Sequence, residues 1–237
     1  KNINHYRAMA KGGNGLIIVE AAAVSQDGRL SVDQLGIWDD QFIEGLSNIA
    51  KVCHENGSKV FIQIHHAGLK TPKAANEDTI SSSNYNDGKI SARELTLDEI
   101  TQIHQDFVAA AIRAQKAGFD GIELHGAHGY LFTQFFSNKV NKRTDDYGGS
   151  LDNRLKIVRD IFNDIKKYVK DDFIVGIRMG CNENDLKSSI TMAKEFENMG
   201  MDFLHISTGF DNIPIDAEPP KDFPCNWIVY GASKIKE

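Results

Sequence analysis

This sequence predicts an α/β fold, and more narrowly most of a (β/α)8 TIM barrel. Three observations point there. A unit of amphipathic helix, glycine, one to three residues and a short apolar strand recurs along the chain. Strands alternating with helices in this way are βαβ units around a parallel sheet. The polar residues also fall at the C-terminal end of each strand: Glu20, Gln63 with His65 and His66, His125, Arg178, and Ser207 with Thr208. A barrel top draws ligand groups from successive strands, whereas a doubly wound sheet gathers its site at one switch point.

The elements follow in order. Gly13-Asn14-Gly15 leads into the strand Leu16-Ile17-Ile18-Val19, and Gly57-Ser58-Lys59 into Val60-Phe61-Ile62-Gln63-Ile64. Gly118 opens Phe119-Asp120-Gly121-Ile122-Glu123-Leu124, and Gly200 opens Met201-Asp202-Phe203-Leu204-His205-Ile206. Such glycines suit helix C-terminal caps. A further strand, Phe173 to Met179, follows a helix that lacks the glycine. Thr96-Leu97-Asp98-Glu99 has capping-box spacing, and Ile100, Ile103, Phe107, Ala111 and Ala114 then repeat at three and four. Leu155, Val158, Phe162, Ile165 and Val169 make a second stripe. Five strands are visible; a barrel needs eight, so the first and the last two lie outside this chain. Residues 69–95, polar and rich in serine and asparagine, read as an excursion over the barrel mouth within one partial barrel domain spanning 1–237.

Bulk properties narrow the function. The chain has 237 residues, a net charge of −6 and a pI near 5.8, which supplies no basic field for nucleic acid or an acidic membrane. No apolar run approaches the roughly 18 to 20 residues that span a bilayer, and the opening residues are not expected to be a signal peptide. The three scattered cysteines fit reduced thiols in a cytoplasmic protein. The chain opens on Lys1 and closes on Glu237 inside a helix-like run, so it is expected to be part of a longer protein.

The densest chemistry is HGAHGYLFTQFFSNKVNKRTDDYGGSLDNR, from His125 to Arg154. Its His125, His128 and Tyr130 stand directly after a buried strand. They could form a paired donor site for a substrate oxygen with a phenol as proton source, a zinc site with Glu123, or one structural and one exposed histidine. Arg178 ends an apolar strand, and its charge calls for an anion or a salt bridge. Gln63 could bind a planar heterocycle through its amide, or satisfy barrel backbone. Arg143 to Ser150 reads as a charged turn with a helix cap. No GxGxxG or GxxxxGK[ST] motif is present.

These motifs resemble the old yellow enzyme family of FMN-dependent NAD(P)H oxidoreductases, which are (β/α)8 barrels. HGAHGYL with RTDDYGGS…NR carries the resemblance, supported by GLIIVEAAAV (15–24), LGIWDD (35–40), IQIHHAG (62–68) and DFLHISTG (202–209). It implies that His125 and His128 hold the carbonyl or nitro oxygen of an activated alkene and that Tyr130 donates the proton. It implies that Gln63 and Arg178 bind the pyrimidine end of FMN, that Ala21 meets the flavin through its backbone, and that NADPH or NADH is the hydride donor. A small-molecule substrate is expected, with no nucleic-acid or membrane partner and a homo-oligomer as one assembly. The sequence departs from the family's pattern at Leu69, where arginine is common, at Asn138, where proline is usual, and in the short segment from Gly180 to Ser189. The FMN phosphate site falls on the strands outside this chain. The rival readings are the family's iron–sulfur branch, typified by 2,4-dienoyl-CoA reductase; a flavin-free binding module; and a metal-dependent barrel hydrolase.

Overall fold

The computed structural model describes residues 2–210 and 218–237. Helix α1 (Asn2–Lys11) leads into strand β1 (Leu16–Ala23), and α2 (Ile43–His54) into β2 (Lys59–His65). Three short strands follow: β3 (Ile80–Ser81), β4 (Tyr85–Asn86) and β5 (Ser91–Glu94). Then come α3 (Leu97–Lys116), β6 (Gly121–Gly126), α4 (Leu131–Phe136), α5 (Leu151–Tyr168), β7 (Ile174–Gly180), α6 (Leu186–Asn198), β8 (Leu204–Ser207) and α7 (Trp227–Lys236).

The main sheet has the order β1-β2-β6-β7-β8, and every pair is parallel. Each βα unit therefore lies beside the one made before it, and the order never reverses. A doubly wound sheet needs such a reversal, so the sequential order selects the barrel. Curvature agrees. The rings of Phe61 on β2 and Phe203, next to β8, stack with centroids 5.5 Å apart. Two strands separate them, and three spacings of about 4.8 Å in a flat sheet would hold them roughly 14 Å apart. The sheet must curl, and this face is its concave side. Gly121 and Gly176 make the curl possible: a Cβ on Gly176 would sit 2.3 Å from the Phe203 ring, and one on Gly121 2.5 Å from the Ile174 carbonyl.

Among the described residues β1 and β8 each have a strand of the main sheet on one side only, and β1 carries on its other side the isolated bridge Ala23–Gly36. Between these margins lies an open cavity of about 980 Å³, lined by Leu16 and Ile18 on one side and by Leu204, His205 and Ile206 on the other. Leu16 is 45% exposed there. This is the gap in a barrel of which the described residues form five strands.

The helices form as their patterns predict. Thr96 accepts from the Glu99 N–H while the Glu99 carboxylate takes the Thr96 N–H, a closed capping box. The core-facing residues Phe107, Ala110 and Ala111 of α3 and Leu155, Val158, Ile161 and Ile165 of α5 are fully buried. Gly57 and Gly118, at φ 84° and 89°, end α2 and α3 in the left-handed region.

The polar excursion carries its own sheet, ordered β3-β5-β4. Arg143 ties it down. Its guanidinium is buried and donates to the carbonyls of Ser82 (3.0 Å) and Leu95 (2.7 Å) and to Asp145 (2.7 Å). The 143–150 motif is thus a clamp as well as the expected turn, and Ser150 caps α5 by accepting from the Asn153 N–H.

Candidate active site

The site residues converge because parallel register aligns the strand ends. Gln63 lies opposite Glu123, and His125 opposite Arg178, which lies opposite His205. After β6 the chain turns sharply. His128 takes φ 62° and Gly129 φ 76°, a left-handed pair that needs external support at the non-glycine position. The His128 N–H donates to the Thr208 carbonyl (3.0 Å), and Lys70 Nζ donates to the His128 carbonyl (2.5 Å). Tyr130 then stands at the N-terminus of α4, all six residues of which are buried.

This turn brings His125, His128 and Tyr130 into mutual contact. The His125 ring meets His128 edge-on at 5.0 Å and Tyr130 at 4.8 Å. His65 joins from β2, stacked on His125 at 5.8 Å and edge-on to Tyr130 at 5.2 Å. Hydrogen bonds assign the protons. His125 Nδ1 accepts from the Ala127 N–H at 3.4 Å, so the proton of the neutral ring sits on Nε2. Ser207 Oγ accepts from Arg178 Nη2 (3.1 Å) and lies 2.7 Å from His128 Nε2, so the hydroxyl can donate onward and leave His128 Nδ1–H as the free donor. The Gln34 amide nitrogen, a donor only, lies 2.7 Å from His65 Nε2; His65 therefore carries its proton on Nδ1, which is buried without a partner.

Electrostatics keep this cluster uncharged. Burial, with His65, His128 and Arg178 nearby, holds His125 well below the ordinary histidine value. Burial holds His128 at about 4, assisted by Arg178 and Lys70, and His65 at about 3. Burial raises the Tyr130 phenol, which stays a proton carrier.

Gln63 and Arg178 line the same concave face. Gln63 Nε2 donates to Glu123 Oε1 (2.6 Å), and Glu123 Oε2 meets His205 Nδ1 at 2.8 Å. That carboxylate is committed to these two partners and not to a metal shared with His125 and His128. Among the described residues no group of three or more His, Cys, Asp or Glu is placed to hold a metal ion. Arg178 Nε is buried with no hydrogen-bond partner, an orphan cationic donor of the kind an anionic ligand edge satisfies. Ala21 sits where the β1–β2 register shifts, its carbonyl taken by Gln34 Nε2 (2.8 Å). Glu20, placed in the ring by its sequence position, is instead tied to the Tyr6 hydroxyl (3.2 Å). Sequence reasoning missed Lys70, whose Nζ lies 5.4 Å from the Tyr130 ring centroid; a cation two residues after IQIHHAG was the available signal. Gln34 gave no signal at all.

The chain is similar to known proteins along most of its length. The profile of the NADH:flavin oxidoreductase / NADH oxidase family matches residues 1–214. An NADH oxidase of Thermoanaerobacter brockii is 40% identical over 99% of this chain and 38% of its own length. An NADPH dehydrogenase of Halalkalibacterium halodurans is 41% identical over 88% of this chain and 62% of its own. Among solved structures, a 2-naphthoyl-CoA reductase in complex with 2-naphthoyl-CoA aligns with a TM-score of 0.88 at 27% identity, over 99% of this chain and 39% of that one. The old yellow enzyme homologue from Zymomonas mobilis aligns at 0.76 and 29%, over 87% of this chain and 63% of that one. The chain spans 38% and 62% of the length of the two curated relatives.

Proposed function

The chain belongs to the NADH:flavin oxidoreductase / NADH oxidase family, and from that premise we propose that the whole protein is an FMN-dependent NAD(P)H oxidoreductase of old yellow enzyme type. Its substrates in this reading are alkenes conjugated to a carbonyl or nitro group. One observation carries the proposal: two neutral imidazoles and a phenol converge at the end of β6, beside a half-buried arginine whose Nε is a buried, unused donor.

The residues present fit FMN. The Gln63 amide, the Arg178 guanidinium and the Ala21 backbone suit the edge of a planar heterocycle with both donors and acceptors. When bound, FMN supplies the hydride chemistry, from NADH or NADPH to the β-carbon of the alkene. The chain's own groups do the rest. His125 Nε2–H and the free N–H of His128 hold the substrate oxygen and stabilise the negative charge that grows there, each bond being worth roughly 1.5–3 kcal/mol. Because both rings stay neutral, they act as hydrogen-bond donors. Tyr130 Oη gives its proton to the α-carbon, a general-acid step typically worth about 10² to 10⁴ in rate. Arg178 supplies positive charge beside them, through Ser207. Residues 69–95 serve as the wall of the mouth in this reading. The ring contact of Tyr85 with Phe210 at 6.2 Å and the Lys70–His128 bond support that placement.

The test uses protein made from its complete coding sequence. Its visible spectrum should show a flavin band that NADPH bleaches without oxygen and cyclohexenone restores. Tyr130→Phe should bleach at the wild-type rate and recover about 10²-fold or more slowly. A protein that stays colourless with added FMN sinks the proposal.

A further inference from the structure

We infer that Glu123 is a positioning residue that fixes which way the Gln63 amide faces, with His205 holding Glu123 in turn. The inference rests on the flavin reading above. Glu123 is wholly buried in the middle of β6, a costly place for a carboxylate without a task. Both of its oxygens are spoken for: Oε1 accepts from Gln63 Nε2 at 2.6 Å, and Oε2 lies 2.8 Å from His205 Nδ1. Three strands thus contribute to one row. Gly176 stands opposite Glu123 on β7, so no β7 side chain intervenes between Glu123 and β8.

The chemistry is one-directional. A carboxylate only accepts, so it selects the amide orientation with Nε2 inward and Oε1 outward. Left alone, an amide in this position could present either end to a ligand. Locked, Gln63 always offers a carbonyl oxygen, plus the second N–H of Nε2. It therefore selects a ligand edge bearing an N–H donor, as the N3–H of a flavin pyrimidine does. Glu123 touches neither ligand nor reacting atoms in this scheme; it acts through Gln63.

The experiment compares the dissociation constants of FMN and 3-deaza-FMN, which replaces N3–H by a carbon of similar shape, in the full-length apoprotein. Quenching of flavin fluorescence reads both. The wild type should prefer FMN by about tenfold, the loss expected when the Gln63 oxygen is left unpaired. Glu123→Gln can either accept from or donate to Gln63, so the amide is free to turn and the preference should fall below about threefold. Glu123→Asp keeps an acceptor-only group and should keep the preference even where overall affinity drops. A generally damaged barrel would move both variants alike. A folded Glu123→Gln that retains the wild-type preference overturns the inference. So does a wild type that binds the two flavins equally, a result that stands even where the variant does not fold. A wild type that binds neither flavin removes the flavin reading itself, and this inference with it.

Discussion

The buried histidines link the site to stability through one sign. His65 is held at about 3 and His128 at about 4, each by burial first, and His66 is also held low. Above the ordinary histidine value, near 6.5, folded and unfolded chains are both neutral here and nothing depends on pH. As pH falls below it, the unfolded chain takes up protons that the folded one refuses, so stability declines until the folded values are reached. For His65 alone the loss at pH 5 is about 2 kcal/mol. Denaturant melts at pH 7 and pH 5 should show this drop, and His65→Gln should flatten it even if it starts lower. A wild type equally stable at both values would show that these rings are not buried neutral. Paired carboxylates such as Glu99, held at about 2, are still ionised in the window from pH 6.5 to 5. At this scale the sequence was half legible. His125, His128 and Tyr130 announce themselves as polar groups at the end of an apolar strand. Gln34 does not, and Glu123 reads only as a possible zinc ligand, since their partners lie between 13 and 82 residues away and only strand register and the β1 bulge bring them near.

Elements with a local cause were readable; those with a distant one were not. The capping box at Thr96 and the stripes of α3 and α5 depend on residues three and four apart, and they formed as written. The sheet β3-β5-β4 escaped notice because strands of two to four residues show no period. Arg143 reads as one more charge in a charged turn. Its burial depends on the carbonyls of Ser82 and Leu95, 61 and 48 residues earlier. Arg143→Met should leave both carbonyls unpaired, at about 1–3 kcal/mol each. The melting temperature should fall, and proteolysis between residues 80 and 95 should accelerate well before the barrel helices are cut. Cleavage there at the wild-type rate would mean that the clamp does not hold this sheet.

For the whole molecule, the choice between barrel and doubly wound sheet was legible from where polar residues fall, and strand order now decides it. What composition could not show is the exposed pair of margins on β1 and β8. Among the described residues the Leu16–Val19 end of β1 and the outer side of β8 have no neighbouring strand, and unpaired parallel edges invite other strands. Made as these 237 residues alone, the chain should self-associate at micromolar concentration in sedimentation, and an Ile18→Lys charge on the margin should reduce that association. A clean monomer at all concentrations would mean that the margins are covered in some other way. The Phe61–Phe203 stack has a consequence in time. Strand pairing runs strictly with synthesis, so each new strand finds its neighbour already made, but these two rings are 142 residues apart. At about 5–20 residues per second, Phe61 emerges roughly 7 to 28 s before its partner exists. Through that interval the Phe61 ring stands uncovered on the growing sheet, and the nascent chain offers it to chaperones until residue 203 is added.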